Sequence, residues 1–297
     1  MLSILIPVYQ YDVRSLVHEL HQQSTNLNIP FEILVFDDAS GSESLQWNQS
    51  LDQLPNTTFK QLPHNLGRSK IRNLLAGSAN YEYLLFIDGD SSICSPSYIE
   101  SYINHTTSNC VLVGQTSYSN AMPKDRDQLL RWTFGRSREM TSATQRQQNP
   151  YHAFKTHHVL IPKTVFNQIP FDESITGYGH EDSLYGIQLK KQGIPILHLD
   201  NPLNHDGLES AALFIKKTED SIRNLCQINS SEIVLETQLW TTFMRAKKFG
   251  IDHVLNLFSK PILRFCRQNL QSSRPKLFVL DLYKLTFLCG NCPKKRK

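Results

Sequence analysis

Continuous apolar runs alternate with helix-like spacings in the amino-terminal third of the chain. Residues 2–8, 31–36 and 83–87 are almost wholly apolar, which is typical of strands that are buried on both faces. After Asp12, a predicted helix cap, apolar residues recur at intervals of three and four, as on a helix with one buried face. Strands that alternate with helices predict an α/β protein with a mostly parallel sheet flanked by helices.

The same reasoning extends this pattern to residue 208. A helix is predicted to begin at Asn65-Leu66-Gly67, and another covers residues 183–191. The remaining predicted elements are helices over residues 43–53 and 97–107, and strands over residues 57–62, 111–113, 159–161 and 194–199.

Beyond residue 208 the pattern becomes helical. Apolar residues recur at helical spacing over residues 231–248 and 252–270. Residues 277–288 contain nine apolar or aromatic residues in twelve, a run too short to cross a bilayer. We therefore predict two domains, a sheet domain over residues 1–208 and a helical carboxyl-terminal region over residues 209–297.

The net charge of +4 hides an uneven distribution. Residues 240–297 hold 13 Lys and Arg against 2 Asp and Glu, whereas the remainder holds 18 against 25. A basic tail predicts an anionic partner, and no nucleic acid is expected. Two interpretations of residues 277–297 stay open: a segment that lies on an anionic membrane surface, and a packed helix with a solvated basic end.

The amino-terminal residues do not have the form of a signal peptide. They have no basic region before their apolar run, and Pro7 ends that run early. No stretch reaches the ~20 apolar residues that a membrane-spanning helix needs. We expect a cytoplasmic protein, peripheral on the inner face of the membrane if its tail binds lipid, with its six cysteines reduced.

Two carboxylates follow the third apolar run. Asp88 and Asp90, separated by Gly89, come directly after residues 83–87. Side chains two apart on a strand point the same way, so both carboxylates can face one point. Gly89 lets the backbone turn and a ligand approach closely. The pair suits Mg²⁺ or Mn²⁺ carrying a phosphate, although Asp and Gly are also common in surface turns.

Other polar residues also follow predicted strands. Tyr9 comes after the first strand, and Asp37 and Asp38 come after the second. Ligands of parallel sheets gather at the carboxyl ends of the strands. One site can therefore collect these side chains together with Asp88 and Asp90.

Three further stretches precede Asp88-Gly89-Asp90 along the chain. They are Ser-Ile-Leu-Ile-Pro-Val-Tyr over residues 3–9, Val-Phe-Asp-Asp-Ala-Ser over 35–40, and Asn65-Leu66-Gly67 with Arg72-Asn73. Over residues 1–208 the chain resembles the family 2 glycosyltransferases, which have the Rossmann-like GT-A fold. The resemblance implies a nucleotide-sugar donor, expected to be a UDP-sugar, a divalent metal, and inversion at the anomeric carbon.

The resemblance implies roles for the residues around the nucleotide. Pro7 and Tyr9 would border the nucleoside, with Tyr9 near the base. Asp38, together with Asp37, would accept hydrogen bonds from the base or the ribose, and Arg72 would face the nucleotide. The alternatives are a loop aromatic for Tyr9, a helix cap for the aspartates and a surface ion pair for Arg72.

The resemblance also implies the metal ligands. Asp88 would lie near the ribose and the metal, with Gly89 beside it, and Asp90 would bind the metal directly. A histidine after the strand at residues 194–199 would complete the site, and His205 matches it. His198 is the weaker competitor because it lies within that strand. An imidazole ligand suits Mn²⁺ better than Mg²⁺.

A second acidic stretch, Glu181-Asp182, opens the predicted helix over residues 183–191. Acids at a helix amino end are stabilised by the helix dipole, which is the structural alternative. The stretch Gly177-Tyr178-Gly179-His180-Glu181-Asp182 resembles the Gly-x-Gly-x-Glu-Asp motif of inverting GT-A enzymes. By that match Asp182 is the base that deprotonates the acceptor and Glu181 contacts the acceptor, with the reverse assignment open.

We therefore expect a metal-dependent inverting glycosyltransferase. Its acceptor would be a hydroxyl of a glycan or of a lipid-linked saccharide in cell-surface polysaccharide synthesis. One rival is a non-catalytic nucleotide-sugar or glycan-binding protein on the same fold. The other is a sugar nucleotidyltransferase, although no Gly-rich basic phosphate loop follows the first strand.

Overall fold

A computed structural model describes residues 1–41, 46–174, 179–227 and 237–291. The chain divides into two compact units. The sheet unit contains Met1–Tyr118, Glu181–Gly207 and the described residues that follow Glu139 up to Ser174. The helical unit contains Ser119–Glu139, Gly179, His180 and the described residues after Gly207. Ser119–Glu139, which we had placed with the sheet domain, therefore belongs to the helical unit.

Over its described residues, the sheet unit is built on eight strands in the order β3-β2-β1-β4-β7-β6-β8-β5. β1 lies between β2 and β4 and is parallel to both, and β3 extends this parallel half. The strands are β1 Leu2–Val8, β2 Phe31–Asp37, β3 Thr57–Gln61, β4 Tyr83–Ile87, β5 Ser91–Ile93, β6 Val111–Ser117, β7 His158–Pro162 and β8 Ile196–His205.

The second half of the sheet is mixed. β7 is antiparallel to both β4 and β6, β8 is parallel to β6, and β5 is antiparallel to β8. Four of the seven pairings are parallel, which confirms the predicted α/β class with a sheet flanked by helices.

The last strand is longer than its sequence pattern predicts. We expected a strand over residues 194–199, whereas β8 extends to His205. Its polar second half pairs with β5 and, after a register shift between Val113 and Gln115, with the end of β6. His205 is therefore the last residue of a strand and not a loop residue after it.

The parallel strands are apolar because both of their faces are covered. Leu5, Leu34 and Phe86 belong to one buried cluster, whereas their sequence neighbours Ile4 and Leu85 belong to the cluster on the other face. Helices cover both faces. They are α1 Arg14–Asn26, α2 Arg68–Ser78, α3 Tyr98–Ile103, α5 Ala143–Gln147, α6 Lys163–Gln168 and α7 Glu181–Lys191.

Several helix boundaries differ from those predicted. α1 begins at Arg14, and Asp12 accepts the backbone N–H of Arg14 without occupying the cap position, which is Val13. α2 begins after Gly67, whose φ of +84° favours glycine at this turn. Within the predicted helix over residues 43–53, the structure shows a 3₁₀ helix, Gln49–Gln53, and residues 42–45 lie outside the described residues.

The described part of the helical unit has two buried apolar clusters. Leu130, Phe214 and Tyr283 belong to the first, and Ile222 and Phe287 belong to the second. Its helices are α4 Leu129–Phe134, followed by a π-helical turn over Gly135–Glu139, then α8 Ala211–Gln227, α9 Gln238–Lys248, α10 Ile251–Leu257, α11 Ser259–Leu270 and α12 Leu277–Asn291.

Helix α12 packs on the protein. Val279, Leu280, Tyr283 and Leu288 are buried among the other helices of the unit. Of our two interpretations of the tail, the described part fits the packed helix, and residues 292–297 lie outside the described residues. Every described helix is too short or too polar to span a bilayer.

Candidate active site

The carboxyl ends of β1, β2 and β4 meet at one edge of the sheet. Val8 at the end of β1 is in register with Asp37, and the Val8 carbonyl accepts the N–H of Asp38 at 2.8 Å. A Cβ placed on Gly89 would lie 3.2 Å from the Pro7 carbonyl oxygen and 3.0 Å from Val13 Cγ1. The acidic turn therefore passes directly over the end of β1, and glycine permits this close approach.

Asp37 and Asp38 make different contacts. Asp37 is fully buried; its Oδ1 accepts the N–H of Ser40 at 2.7 Å, and its Oδ2 has no hydrogen-bond partner among the described residues. The two carboxylate oxygens of Asp38 accept the N–H groups of Leu66 (2.6 Å) and Gly67 (3.0 Å) in front of α2. Asp38 thus organises the start of α2, whereas Asp37 keeps an acceptor available. Nucleotide contacts of both residues stay a prediction.

Asp88 and Arg72 bind each other. Arg72 Nη2 lies 2.5 Å from Asp88 Oδ1, and the Arg72 side chain is only 3% exposed. Its guanidinium also lies 5.8 Å from the centre of the Phe171 ring, and its Nε has no hydrogen-bond partner among the described residues. We expected Arg72 to face the nucleotide and Asp88 to lie near the ribose and the metal. The ion pair holds the two side chains together at the same edge of the sheet, and both roles stay predictions.

Asp90, which directly precedes β5, and His205, at the end of β8, approach each other. His205 pairs with Ser91 in the β5–β8 register, and the Asp90 carbonyl accepts the N–H of Asp206 at 2.8 Å. His205 Nε2 lies 3.5 Å from Asp90 Oδ2. A Cβ on Gly207 would overlap the Asp90 carboxylate, so the chain can turn back beside Asp90 only with glycine at that position.

Opposing effects act on the Asp90 carboxyl. Burial raises its pKa, and the positive potential of His205, His157 and Arg68 lowers it. The lowering effects win, and the pKa of Asp90 lies below its usual value. The carboxylate is therefore ionised and ready to bind a cation at neutral pH.

Two aromatic neighbours fix the His205 ring. Tyr118 stacks on it at a centroid distance of 5.6 Å, and His157 lies at 5.4 Å. The His157 ring is itself held between the hydroxyls of Ser91 (3.0 Å) and Thr116 (3.1 Å). The sequence did not indicate Tyr118 or His157 as neighbours of His205, because their proximity to His205 comes from the pairing of distant strands.

The Asp90–His205 pair fits a divalent cation. Metal–oxygen and metal–nitrogen distances of about 2.0–2.2 Å allow one ion to bridge atoms as close as this carboxylate oxygen and imidazole nitrogen. An oxygen with an imidazole suits Mn²⁺. No group of three or more His, Cys, Asp or Glu side chains within the described ranges is arranged to hold a metal. A cation at this pair would take further ligands from a bound diphosphate or water.

Asp182, in the first turn of α7, is held by Thr156. The Thr156 hydroxyl donates to Asp182 Oδ1 at 2.7 Å, and the Thr156 N–H donates to the same oxygen at 3.3 Å. Asp182 Oδ2 lies 3.9 Å from Lys155 Nζ, and a quarter of the side chain is exposed. Thr156 directly precedes His157, which contacts His205, so two adjacent residues link Asp182 to His205. Residues 175–178 of the preceding loop lie outside the described residues.

Glu181 is more enclosed than Asp182. Its Oε1 lies 3.1 Å from Arg68 Nη1, and its Oε2 is buried without a hydrogen-bond partner among the described residues. Arg68 lies one turn before Arg72 on α2. Arginines on two successive turns of α2 therefore bind the two acidic stretches. Arg72 pairs with Asp88, and Arg68 pairs with Glu181. The role of Arg68 was not predicted, because no motif marks it.

Tyr9 follows β1 and is 54% exposed. The next residue, Gln10, has a φ of +52°, and its N–H donates to the Ser40 hydroxyl at 2.7 Å. This contact joins the loop after β1 to the loop after β2. An exposed ring at this edge is free to stack on a base, and that role of Tyr9 stays a prediction.

His198, the weaker candidate for metal ligation, has a structural role. Its Nδ1 lies 3.2 Å from Arg146 Nε, and its Nε2 lies 3.0 Å from the Pro150 carbonyl oxygen. Burial lowers its pKa, which favours the neutral ring. Both ring nitrogens are therefore engaged away from Asp90.

The chain is similar to known proteins both in sequence and in fold. A protein-family model described as Glycosyl transferase family 2 matches residues 3–169. No protein with a curated description matches the sequence significantly.

Solved structures share the fold at low sequence identity. Residues 1–349 of TarS from S. aureus align with 96% of this chain and 89% of that one, at 17% identity and a TM-score of 0.51. Glucosyl-3-phosphoglycerate synthase from Mycobacterium tuberculosis, solved with Mn²⁺ and UDP, aligns with 78% of this chain and 81% of that one, at 13% identity and 0.52. The mannosyltransferase PcManGT from Pyrobaculum calidifontis, solved with GDP-Man and Mn²⁺, aligns with 99% and 88%, at 12% identity and 0.54. These similarities show the GT-A fold.

Proposed function

The chain belongs to glycosyl transferase family 2, and on that premise we propose that it is an inverting, metal-dependent glycosyltransferase. The donor is a nucleotide-diphosphate sugar with UDP as the nucleotide. The acceptor is a hydroxyl of a glycan or of a lipid-linked saccharide in cell-surface polysaccharide synthesis.

One observation carries this proposal. A carboxylate and an imidazole that suit a cation lie 3.5 Å apart, and a separately anchored carboxylate, Asp182, is linked to them through Thr156 and His157. His157 contacts His205, and the adjacent Thr156 holds Asp182. Inversion requires a base on the face of the sugar opposite the leaving diphosphate, so two separate acidic groups are what the reaction needs.

Asp90 and His205 would hold the cation, with Asp88 supporting them. When bound, Mn²⁺ or Mg²⁺ supplies positive charge that offsets the charge developing on the departing diphosphate. The ion pair of Arg72 with Asp88 keeps the turn of residues 88–90 in place over the end of β1. Tyr9 and Asp37 lie at the same edge and bind the nucleoside.

Asp182 acts as the base. Its Oδ1 is fixed by two hydrogen bonds from Thr156, which leaves Oδ2 to take the acceptor proton. The acceptor oxygen forms a bond to the anomeric carbon while the bond from that carbon to the diphosphate oxygen breaks. The electron pair leaves with the nucleoside diphosphate, and the proton ends on Asp182. The contact of Glu181 with Arg68 and its low exposure favour Asp182 over Glu181 for this step.

The ligands of structurally similar proteins support a nucleotide-diphosphate sugar as the donor. TarS has been solved with UDP and with UDP-GlcNAc, and the mycobacterial synthase with UDP. PcManGT has been solved with GDP-Man, which makes GDP-sugars the necessary comparison in any screen.

A thermal-shift screen of nucleotide sugars with and without Mn²⁺, followed by a transfer assay, tests the proposal. We expect one UDP-sugar to raise the melting temperature only with Mn²⁺ present, and to release UDP when an acceptor is added. Donor binding with no turnover across a broad panel of acceptors would instead support a non-catalytic binding protein. Release of pyrophosphate from a nucleoside triphosphate and a sugar phosphate would support a nucleotidyltransferase.

A further inference from the structure

The helical unit concentrates exposed apolar side chains in one short segment. Phe249 is 74% exposed, Leu257 78% and Phe265 64%. Seven of the large apolar residues that are exposed lie within residues 244–265: Met244, Phe249, Ile251, Val254, Leu257, Phe258 and Phe265. Elsewhere in the described residues such side chains occur singly or in pairs. A concentration of this kind marks an interaction surface, because scattered exposed residues need no explanation and clusters do.

The exposed apolar residues follow helical spacing. On α10, Ile251, Val254 and Phe258, which directly follows the helix, are spaced at i, i+3 and i+7, so they lie on one face. Phe258 and Phe265 are likewise seven residues apart along α11, so they also lie on one face. Cys266 and Leu270 turn to the buried side of α11. The apolar surface of these two helices therefore extends beyond the face that packs on the protein.

Basic side chains border this surface. Arg245, Lys247 and Lys248 are exposed at the end of α9, and Lys260 and Arg264 are exposed on α11. Over residues 237–291 the chain holds nine Lys and Arg against two Asp and Glu. Exposed Phe and Leu beside Lys and Arg are typical of helices that lie in the interface of an anionic membrane.

We propose that the surface formed by Phe249, Ile251, Val254, Leu257, Phe258 and Phe265, with its bordering Lys and Arg residues, docks on an anionic lipid bilayer. The apolar rings enter the acyl boundary, and the basic groups attract the acidic headgroups. A second copy of the chain fits less well, because it would bring two strongly basic surfaces together. Helices of 7 and 12 residues are too short to cross a bilayer, so the contact is peripheral.

The proposed contact differs from the one expected for residues 277–297. That expectation rested on the apolar run in α12, most of which is buried within the helical unit. The exposed apolar side chains are concentrated instead along α10 and α11. This inference does not depend on the proposed transfer reaction, and its test does not measure activity.

Sedimentation with lipid vesicles tests the proposal on the full chain. Wild-type protein is mixed with phosphatidylcholine vesicles that either lack phosphatidylglycerol or contain about one third of it. We expect binding to the anionic vesicles, weaker binding as salt is raised, and little binding to neutral vesicles.

Two pairs of substitutions separate the apolar and the basic contributions. The double variant Phe258→Gln with Phe265→Gln should lower the vesicle partition coefficient about tenfold or more, because two rings no longer leave water. Lys260→Gln with Arg264→Gln should lower it about fivefold per charge. Met122→Gln is the matched control, since Met122 is 65% exposed and lies outside the segment, and it should bind as wild type does.

Three results would overturn the proposal. The first is equal binding of wild type to neutral and anionic vesicles, and the second is unchanged binding of the double phenylalanine variant. The third is no vesicle binding by wild type, together with a change from oligomer to monomer in the phenylalanine variant, which would assign the surface to a second copy of the chain. Circular dichroism of each variant confirms that folding is retained.

Discussion

The sheet unit and the helical unit place their charged groups in opposite ways. In the sheet unit, Arg72 is almost fully buried and pairs with Asp88, and Asp182 is held by Thr156. In the helical unit, most Lys and Arg side chains near α10 and α11 are exposed beside exposed apolar rings. Buried, fixed charges are suited to chemistry that needs defined positions, whereas exposed basic groups are suited to a broad anionic surface.

The helical unit also contains fixed charged groups among its described residues. Glu219 accepts hydrogen bonds from the Tyr283 hydroxyl and, at 2.5 Å, from Arg267 Nη2. The same residues join α8, α11 and α12, so this network holds the helices together. Fixed charge therefore serves packing in one unit, and in the other we propose that it serves catalysis.

Removing the proposed base should have the largest effect. Asp182→Asn keeps the size of the side chain but cannot take a proton, so we expect transfer to fall by about 10²–10⁴-fold. Nucleotide binding with Mn²⁺ should stay near the wild-type value in a titration. Asp52→Asn is the matched control, because Asp52 also accepts a backbone N–H, from Phe59 at 2.6 Å, and lies outside the site. Normal transfer by Asp182→Asn would remove Asp182 as the base.

Breaking the buried ion pair should mainly lower stability. Arg72→Met leaves Asp88 without its partner, and we expect the free energy of unfolding to fall by about 2–3 kcal/mol in urea denaturation. Arg138→Met breaks the pair with Asp281, in which both side chains are about half exposed, and should cost less than about 1 kcal/mol. Equal losses in the two variants would show that burial does not distinguish these pairs.

Adding a methyl group beside Asp90 should affect binding more than stability. The new Cβ of Gly207→Ala would overlap the Asp90 carboxylate and displace it, so we expect Mn²⁺-dependent nucleotide binding to weaken about tenfold or more. Gly77→Ala is the control, because nothing lies within 4 Å of the new Cβ. Since Gly77 lies within α2, that change should raise the free energy of unfolding by about 0.5–1 kcal/mol without altering binding.

The network of the helical unit predicts a modest effect of pH. Burial raises the pKa of Glu219, but hydrogen bonds from Tyr283 and Arg267 outweigh it and hold that pKa below its usual value. A depressed carboxyl pKa stabilises the folded state above the unfolded pKa, and this stabilisation is lost as pH falls through the folded pKa. Below about pH 4.5, wild type should therefore lose stability at up to about 1.4 kcal/mol per pH unit more steeply than Glu219→Gln. Parallel curves in acid denaturation would contradict this assignment.

The strand ends were predictable because their signals are local. Residues 2–8 and 83–87 are apolar enough to indicate buried strands, and parallel strands bring the residues after them to one edge. The full length of β8 was not predictable, since its polar second half is a strand only through pairing with β5 and β6. Tertiary pairing here overrides local propensity.

Side-chain contacts between residues distant in sequence were also not predictable. The contacts of Arg68 with Glu181 and of Thr156 with Asp182 join residues separated by 113 and 26 positions, and no motif relates them. The apolar run of α12 suggested a membrane segment because apolar content alone does not distinguish a helix buried in protein from one that lies on lipid.

Titration of UDP into the protein, with and without Mn²⁺, tests the central assignment most directly when wild type is compared with His205→Ala. In wild type we expect UDP to bind tightly only when Mn²⁺ is present. His205→Ala should lose this dependence while keeping the weaker binding seen without metal, because Tyr9 and Asp37 remain. An unchanged effect of Mn²⁺ in His205→Ala would contradict the assignment of Asp90 and His205 as the cation site.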